Sequence, residues 1–483
     1  MNPKNVLKPL TALMLIIAGF MALPASIALF YGEYREFLSF AVTCGILVGV
    51  SLVMLFLLRN HRAYYLSTRD GFLFVTLSWI CASIFGCLPF MLSGSIPHPV
   101  DAFFETMSGF TTTGASILTD VESLPRSILF WRSLTHWLGG MGIVVLTVAI
   151  LPMLGIGGLQ LIKSEAPGPT LDKLTPRITE TAKILWIIYI GMTALETLLL
   201  YIGGVSLFDA LTHTFGTLAT GGFSTYNTSV GHFTSPYIQW VITVFMVLAG
   251  VNFSLHYQFI SRNISSVYKD TEFITYIVIF LTFSAAITLS LMAGMGYEVG
   301  ESFRLAAFQT ASILTTTGYA TDNFELWPAF ARTLLFVLMF IGGCSGSTGG
   351  GIKVVRIVTM LKMAVNEMKF LVHPRGIFRI KMNGVLLKKE ITYSIAGFFF
   401  LYMATLFVTT CIVASSGSGI LTSFTTALAT VGNIGPGFGM VGPANNYAFY
   451  PAYVKLFLTV AMLVGRLEMY TVLVIFSPLF WRR

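Results

Sequence analysis

The sequence predicts an all-α polytopic membrane protein: two leading helices, then four repeats of helix, short helix, loop and helix. Three observations predict it. The 483 residues are 55% hydrophobic and only 10% charged, a balance foreign to soluble domains. Apolar runs of about 20 residues, enough to span a hydrocarbon core of about 30 Å, recur along the whole chain. Four of the segments between these runs repeat one short pattern.

Ten spans are expected, at about 10–30, 37–58, 71–92, 127–151, 181–204, 236–260, 273–296, 329–363, 390–414 and 451–478. The first follows Lys4 and Lys8 in the manner of a signal peptide, but its length and the spans after it favour a retained helix. The chain divides into an N-terminal helix pair, 1–70, and four repeats, 71–163, 164–269, 270–375 and 376–483. The second helix of the third repeat is broken. The five cysteines, Cys44, Cys81, Cys87, Cys344 and Cys411, lie in or beside apolar runs without metal spacing, and read as small buried side chains rather than disulfides.

Charge sets the orientation. With the N-terminus inside, the cytoplasmic segments carry 22 of the 29 Lys and Arg and the outer segments six, with Arg466 left inside a span. Such a bias places both termini in the cytoplasm. The net charge of +8 comes from the cytoplasmic loops, so membrane lipid and not nucleic acid is the expected contact. The outer segments hold eleven carboxylates, among them Asp101, Glu105, Asp120, Glu122, Asp209, Asp322 and Glu325. They read either as an acidic mouth that concentrates cations or as ordinary hydrophilic loops.

The repeated pattern lies between the two spans of each of the last four pairs. The segments are "FFETMSGFTTTGAS", "ALTHTFGTLATGGFS", "AAFQTASILTTTGYA" and "LTSFTTALATVGNIG". Aligned on one glycine each, they end in Thr112-Thr113-Gly114, Ala219-Thr220-Gly221, Thr316-Thr317-Gly318 and Thr430-Val431-Gly432. About ten mildly apolar residues precede each glycine, a helix of about 15 Å that can enter a membrane halfway without crossing it. Repetition at similar spacing points to repeated architecture. Irregular backbone at membrane depth is tolerated only where it is buried or lines a water-filled cavity. Four such loops about one axis would present carbonyl oxygens able to replace the water around a cation. Glycine supplies the positive φ this requires, and threonine can add a hydroxyl. Gly109, Gly216 and Ser312 would let each loop pack against its own helix. The short helices enter from outside, so their partly negative C-terminal ends face the loops, which favours a cation.

Two further features lie beneath. "GGCSGSTGGG", residues 342–351, cannot hold a stable helix. It also lacks the G-K-[ST] that a phosphate-binding loop needs. Gly342, Gly343, Ser345, Gly346, Ser347, Thr348, Gly349, Gly350 and Gly351 read as a loop gating the pore, or as a packing kink. Arg466 sits midway along the last span, where insertion costs roughly 2.5–3.5 kcal/mol. It reads as a positive barrier beneath the carbonyls, or as half of an ion pair with another helix. Glu468, two residues on, points elsewhere on a helix. Glu196, His136 and His213 read as satisfied polar residues.

These residues resemble a known family. The four repeats, "TTTGAS", "LATGGFS", "TTTGYA", "TVGNIG", the glycine-rich interruption and Arg466 are similar to the superfamily of potassium transporters that includes the Trk, Ktr and plant HKT proteins. The extra helix pair and the length place the resemblance in the TrkH/TrkG branch. The resemblance implies a pseudo-fourfold, potassium-channel-like pore and a homodimer. It implies potassium as substrate with no covalent cofactor, a bacterial inner-membrane location, and a cytoplasmic nucleotide-binding partner of TrkA type. In the plant relatives a serine at the first filter position goes with sodium preference, so Gly114 implies potassium. The fourth loop departs in carrying Val431 where others have threonine. A membrane enzyme would need a catalytic cluster at depth, and none is seen. A secondary transporter of another solute would usually show inverted repeats, whereas these share one orientation. A sodium-permeable relative is the nearer alternative.

Overall fold

The computed structural model describes residues 3–59, 67–142 and 178–482. The second half of the span expected at 127–151 and the boundary expected at 163–164 lie outside the described residues. Helices α1 (Pro3–Tyr31) and α2 (Tyr34–Leu57) form the leading pair, turning at Gly32 with φ of 74°. The Glu33 carboxylate in that turn accepts the N–H groups of Arg126 and Ser127 at 2.8 and 3.0 Å. It thereby caps a helix of the first repeat, at the helix end where a negative charge is stabilising. On α2, Leu52, Val53, Phe56 and Leu57 are exposed, as suits a face turned to lipid.

The first repeat runs through α3 (Thr68–Gly86), α4 (Leu88–Leu92), α5 (Pro99–Phe110) and α6 (Arg126–Gly140). The second comprises α7 (Ile178–Ile202), α8 (Leu207–Leu218), α9 (Pro236–Ala249), α10 (Phe253–Ile260) and the short α11 (Ile264–Tyr268). The third has α12 (Thr271–Met295), α13 (Val299–Leu314), α14 (Ala329–Leu338) and α15 (Val354–Val372). A hairpin follows, β1 (Lys381–Met382) antiparallel to β2 (Val385–Leu386), with Lys381 opposite Leu386. The fourth has α16 (Lys389–Ala414), α17 (Ile420–Val431), α18 (Ala452–Arg466), α19 (Tyr470–Leu473) and the terminal α20 (Pro478–Trp481).

Among the described residues, six helices are long and apolar enough to cross a membrane. The repeats pack through buried aromatics. Trp131 of α6 is fully buried and its indole donates to Gly86 O of α3 at 2.9 Å, so its area, worth roughly 1.5–3 kcal/mol, is gained without an orphaned donor.

The second helix of a repeat was expected to break only in the third. It also breaks in the second and fourth. The α9–α10 pair bends by 99° and the α18–α19 pair by 114°. At the first break, Asn252 accepts Ser254 N–H at 2.9 Å and starts a new helix. At the other, Glu468 and Met469 both take positive φ, 58° and 57°, which no α-helix continues through. Helix α6 ends at Gly140, where the added Cβ of an alanine would meet Ala219 Cα at 2.6 Å. The other two ends are packed as closely: a Cβ on Gly250 would lie 2.8 Å from Thr315 Cγ2, and one on Gly465 2.1 Å from Val431 O.

Candidate permeation site

The short helices α5, α8, α13 and α17 end alike. The residues that close them, Thr111, Ala219, Thr315 and Gly432, bond back four residues, at 2.8–3.2 Å. The next residues, Thr112, Thr220, Thr316 and Asn433, have φ of 51°, 54°, 60° and 54°. Then Thr113, Gly221, Thr317 and Ile434 bond back five residues, to the carbonyls of Ser108, Gly216, Ser312 and Ala429, at 2.8–2.9 Å. Last come Gly114, Gly222, Gly318 and Gly435, with φ of 76°, 82°, 82° and 95°.

These four glycines meet their neighbours in chain order. A Cβ on Gly114 would lie 2.2 Å from Gly221 O, on Gly222 2.0 Å from Thr317 O, on Gly318 2.1 Å from Ile434 O, and on Gly435 2.6 Å from Thr113 O. Each repeat thus touches the next and the fourth returns to the first. The carbonyls of Thr113, Gly221, Thr317 and Ile434 form one closed layer. A cavity of about 150 Å³ opens above it, bounded by all four glycines and by Ser116, Arg132, Tyr226 and Tyr447 among others.

The register differs from the sequence alignment in two repeats. Gly222, not Gly221, is the counterpart of Gly114, and Gly435, not Gly432, is its counterpart in the fourth repeat. Gly432 has an ordinary helical φ of −80° and closes α17, of which Thr430 and Val431 are part. A glycine that caps a helix looks in sequence like the glycine of the loop beyond it. The signals that were missed are the second glycine of "TGG" and the asparagine of "GNIG", since asparagine tolerates the left-handed region better than most residues. The departure at Val431 disappears with this shift; the fourth loop instead differs by Asn433 and Ile434. Nor do the threonine hydroxyls act uniformly. Thr113 and Thr317 pair with Thr111 and Thr315 at 2.8 and 2.7 Å. Thr220 turns to Ala219 O, and Thr316 accepts Gly350 N–H, both at 2.6 Å. Asn433 donates to Thr113 Oγ1 at 2.9 Å, linking the fourth repeat to the first.

Behind the ring lies a charge pair that the sequence reading had assigned to the outer loops. Arg132 Nε donates to Glu105 Oε1 at 2.7 Å, with both side chains buried. Glu105 also accepts from Ser116 Oγ and Ile117 N–H, each at 2.9 Å. Arg132 donates to Ser224 O at 2.9 Å and lies 3.5 Å above the Phe223 ring. The pair therefore grips the strands leaving the first and second loops. Breaking a buried pair leaves an uncompensated charge and costs roughly 3–5 kcal/mol. Arg132→Ala is therefore expected to lower the midpoint of thermal unfolding in detergent well below that of the parent; an unmoved midpoint would show that the pair is dispensable. His136 and His213 also brace this region: His136 Nδ1 meets Gly109 O at 2.7 Å, and His213 Nε2 meets Ser224 Oγ at 2.9 Å. Tyr319, after Gly318, donates to His213 O at 3.0 Å. Glu196, expected to be a satisfied polar residue, is instead buried on α7 with no hydrogen-bond partner for either carboxylate oxygen among the described residues. At the outer surface Asn227 donates to Asp120 at 3.0 Å and holds that carboxyl below its ordinary value.

Residues 342–351 run directly under the ring. Gly350 N–H donates to Thr316 Oγ1, and a Cβ on Gly350 would meet Gly432 O at 2.5 Å. Thr348 Oγ1 donates to Ala249 O at 3.2 Å, and Cys344 N–H to Gly250 O at 2.8 Å. The loop thus touches the second, third and fourth repeats. Arg466, the last residue of α18, donates through Nη1 to Thr348 O at 2.6 Å and through Nη2 to Gly139 O and Gly140 O at 2.8 and 2.9 Å. The next carbonyl of the loop, Gly349 O, accepts from buried Lys353 Nζ. Lys353 was counted as a cytoplasmic loop charge and is a second cation at this level. Glu468 pairs with Arg356, which stacks 3.8 Å over Phe398.

The comparisons agree with one another. The family profile TrkH, described as cation transport protein, matches residues 38–482. The Trk system potassium uptake protein TrkH of Halomonas elongata is 42% identical, with all of both chains covered. Its counterpart in Escherichia coli K12 is 41% identical over 97% of each chain, and the Trk system potassium uptake protein TrkG of that organism is 37% identical over 95% of this chain and 94% of its own. The crystal structure of the potassium transporter TrkH from Vibrio parahaemolyticus superposes with a TM-score of 0.89 at 38% identity, covering the whole of both chains. With its several apolar helices and this agreement over its full length, the chain is a multi-pass membrane protein and belongs to the TrkH family of cation transport proteins.

Proposed function

We propose that the chain takes up potassium ions across the bacterial cytoplasmic membrane through the ring of Thr113, Gly221, Thr317 and Ile434 carbonyls. The observation that carries this reading is the closed contact of four glycines with four carbonyls in chain order. Four carbonyl dipoles at one level can stand in for the hydration shell of a dehydrated cation. The C-terminal ends of four short helices add partial negative charge beneath the entrance. Residues 342–351 act as the gate and Arg466 as the barrier below the ring. Support for the ion comes from the potassium uptake named for the relatives. The Lys and Arg bias supports cytoplasmic termini. The kinship with Trk system proteins supports a homodimer and a TrkA-type cytoplasmic partner.

Purified protein in liposomes tests this. Potassium-dependent reversal potentials under imposed sodium and pH gradients are expected to follow the potassium gradient. Potentials that follow sodium, or no cation flux at all, would overturn it. Shortening the gate within residues 345–348 is expected to raise flux while selectivity holds, because Gly350 and its bond to Thr316 remain. Lower flux from a well-folded deletion would remove the gate from this position.

A further inference from the structure

The glycine-rich loop is also held from its side, by a residue that no reading of the pore requires. Glu272, in the first turn of α12, is 8% exposed. Its Oε1 accepts the backbone N–H of Ser345 at 2.7 Å and that of Val355 at 3.0 Å. These donors stand at the two ends of the segment whose middle touches Thr316 and Arg466. Val355 lies in the first turn of α15, where N–H groups lack helical partners and a negative charge is stabilised. Bonds from N–H groups to a carboxylate are about twice as strong as neutral ones.

The start of α12 is itself tied to the exposed hairpin. Asn383, at its tip with φ of 48°, accepts Thr271 N–H at 2.8 Å and donates to Asp270 Oδ2 at 2.7 Å. Asp270 caps α12 by accepting Phe273 N–H at 2.8 Å. Lys362 of α15 donates to Lys381 O of β1 at 2.9 Å. Hydrogen bonds and two peptide links therefore run unbroken from the hairpin tip to the loop beneath the ring.

We propose that Glu272 is a positioning residue that clasps both ends of the loop and sets its closed position, and that displacing the hairpin tip at Asn383 loosens this clasp. The proposal rests on the reading of residues 342–351 as the gate. It assigns the control of that gate to a carboxylate outside the pore and to a surface turn.

Cys344 supplies a readout that needs no transport. It is 1% exposed and adjoins the first anchor, Ser345. In a background with Cys44, Cys81, Cys87 and Cys411 replaced by serine, the rate at which a water-soluble maleimide labels Cys344 reports loop release. Glu272→Ala is expected to raise both labelling and potassium flux per folded molecule by roughly tenfold, as for loss of one strong hydrogen bond. Glu272→Gln keeps an acceptor oxygen in place but gives up the charge, and is expected to fall between the parent and Glu272→Ala. Asn383→Ala should shift both readouts the same way by less, and add nothing once Glu272 is alanine. The potassium to sodium ratio should stay constant throughout. Parental labelling in folded Glu272→Ala overturns the clasp. Full additivity of Asn383→Ala overturns the role of the hairpin. Should Glu272→Ala not fold, Asn383→Ala on its exposed tip decides alone, and parental labelling there rejects the proposal. If the parent carries no potassium, the permeation reading fails while Cys344 labelling still judges the clasp.

Discussion

Replacing Arg466 by glutamine is expected to raise cation flux strongly while leaving the preference among cations unchanged. The guanidinium binds Thr348 O in the loop and the last carbonyls of α6, so its charge is held against the loop that runs under the ring. Two unit charges about 6 Å apart at an effective dielectric near 20 repel by roughly 3 kcal/mol. Each 1.36 kcal/mol is a factor of ten in rate, so flux could rise by up to about a hundredfold where this barrier limits it. Glutamine can still donate to one of the three carbonyls, which limits the structural damage. Uptake per folded molecule in liposomes, beside a thermal unfolding curve, measures both consequences. Normal folding with unaltered flux would remove Arg466 from the ion path.

Gly114→Ser is expected to abolish most discrimination between potassium and sodium. The position has φ of 76°, and a Cβ there would lie 2.2 Å from Gly221 O, far inside contact distance. That oxygen is a main-chain atom of the ring and cannot swing aside like the tip of a long side chain. Either the first loop leaves the left-handed region or the second moves away, and both spoil the layer. Loss of roughly 1.4–2.8 kcal/mol of differential binding would cut a selectivity ratio by about ten to a hundredfold. Parallel potassium and sodium uptake by cells lacking their own potassium uptake provides the measurement. A folded variant with the parental ratio would place Gly114 outside the selective layer.

The legibility of this molecule in its sequence varied with how local the cause was. The six long apolar helices among the described residues were plain, because a bilayer imposes length and composition on each helix separately. The loops after α5 and α13 were plain because "TTTG" occurs twice in the same context. The fourth loop was misread because Gly432 ends a helix by the same freedom that Gly435 uses in the ring. The bends at 250–252 and 467–469 escaped because apolarity continues through both. Hydropathy does not register the left-handed turn that Glu468 and Met469 make. Asn252 was the one readable sign, as a residue that favours the start of a helix. Glu105 and Arg132 were both counted among the outer charges of the first repeat, and nothing in their spacing announces that they meet. Lys353 and Glu272 were hidden for the same reason: each acts through backbone groups of a segment distant in sequence or folded back on itself.

The return of the fourth repeat to the first has a consequence for biosynthesis. The contact that completes the ring joins Asn433 to Thr113, 320 residues apart. A ribosome adding roughly 5–20 residues per second needs at least about 16 seconds between them. Throughout that interval the ring is open, with one loop at its start and three only after Gly318 has been added. Residues 342–351 are translated before the circle can close, and Arg466 emerges about 30 residues after Gly435, within a few seconds at that rate. On the proposed reading of residues 342–351 as the gate, the order of the parts along the messenger places that loop in the membrane before the ring closes, and the Arg466 charge only after it.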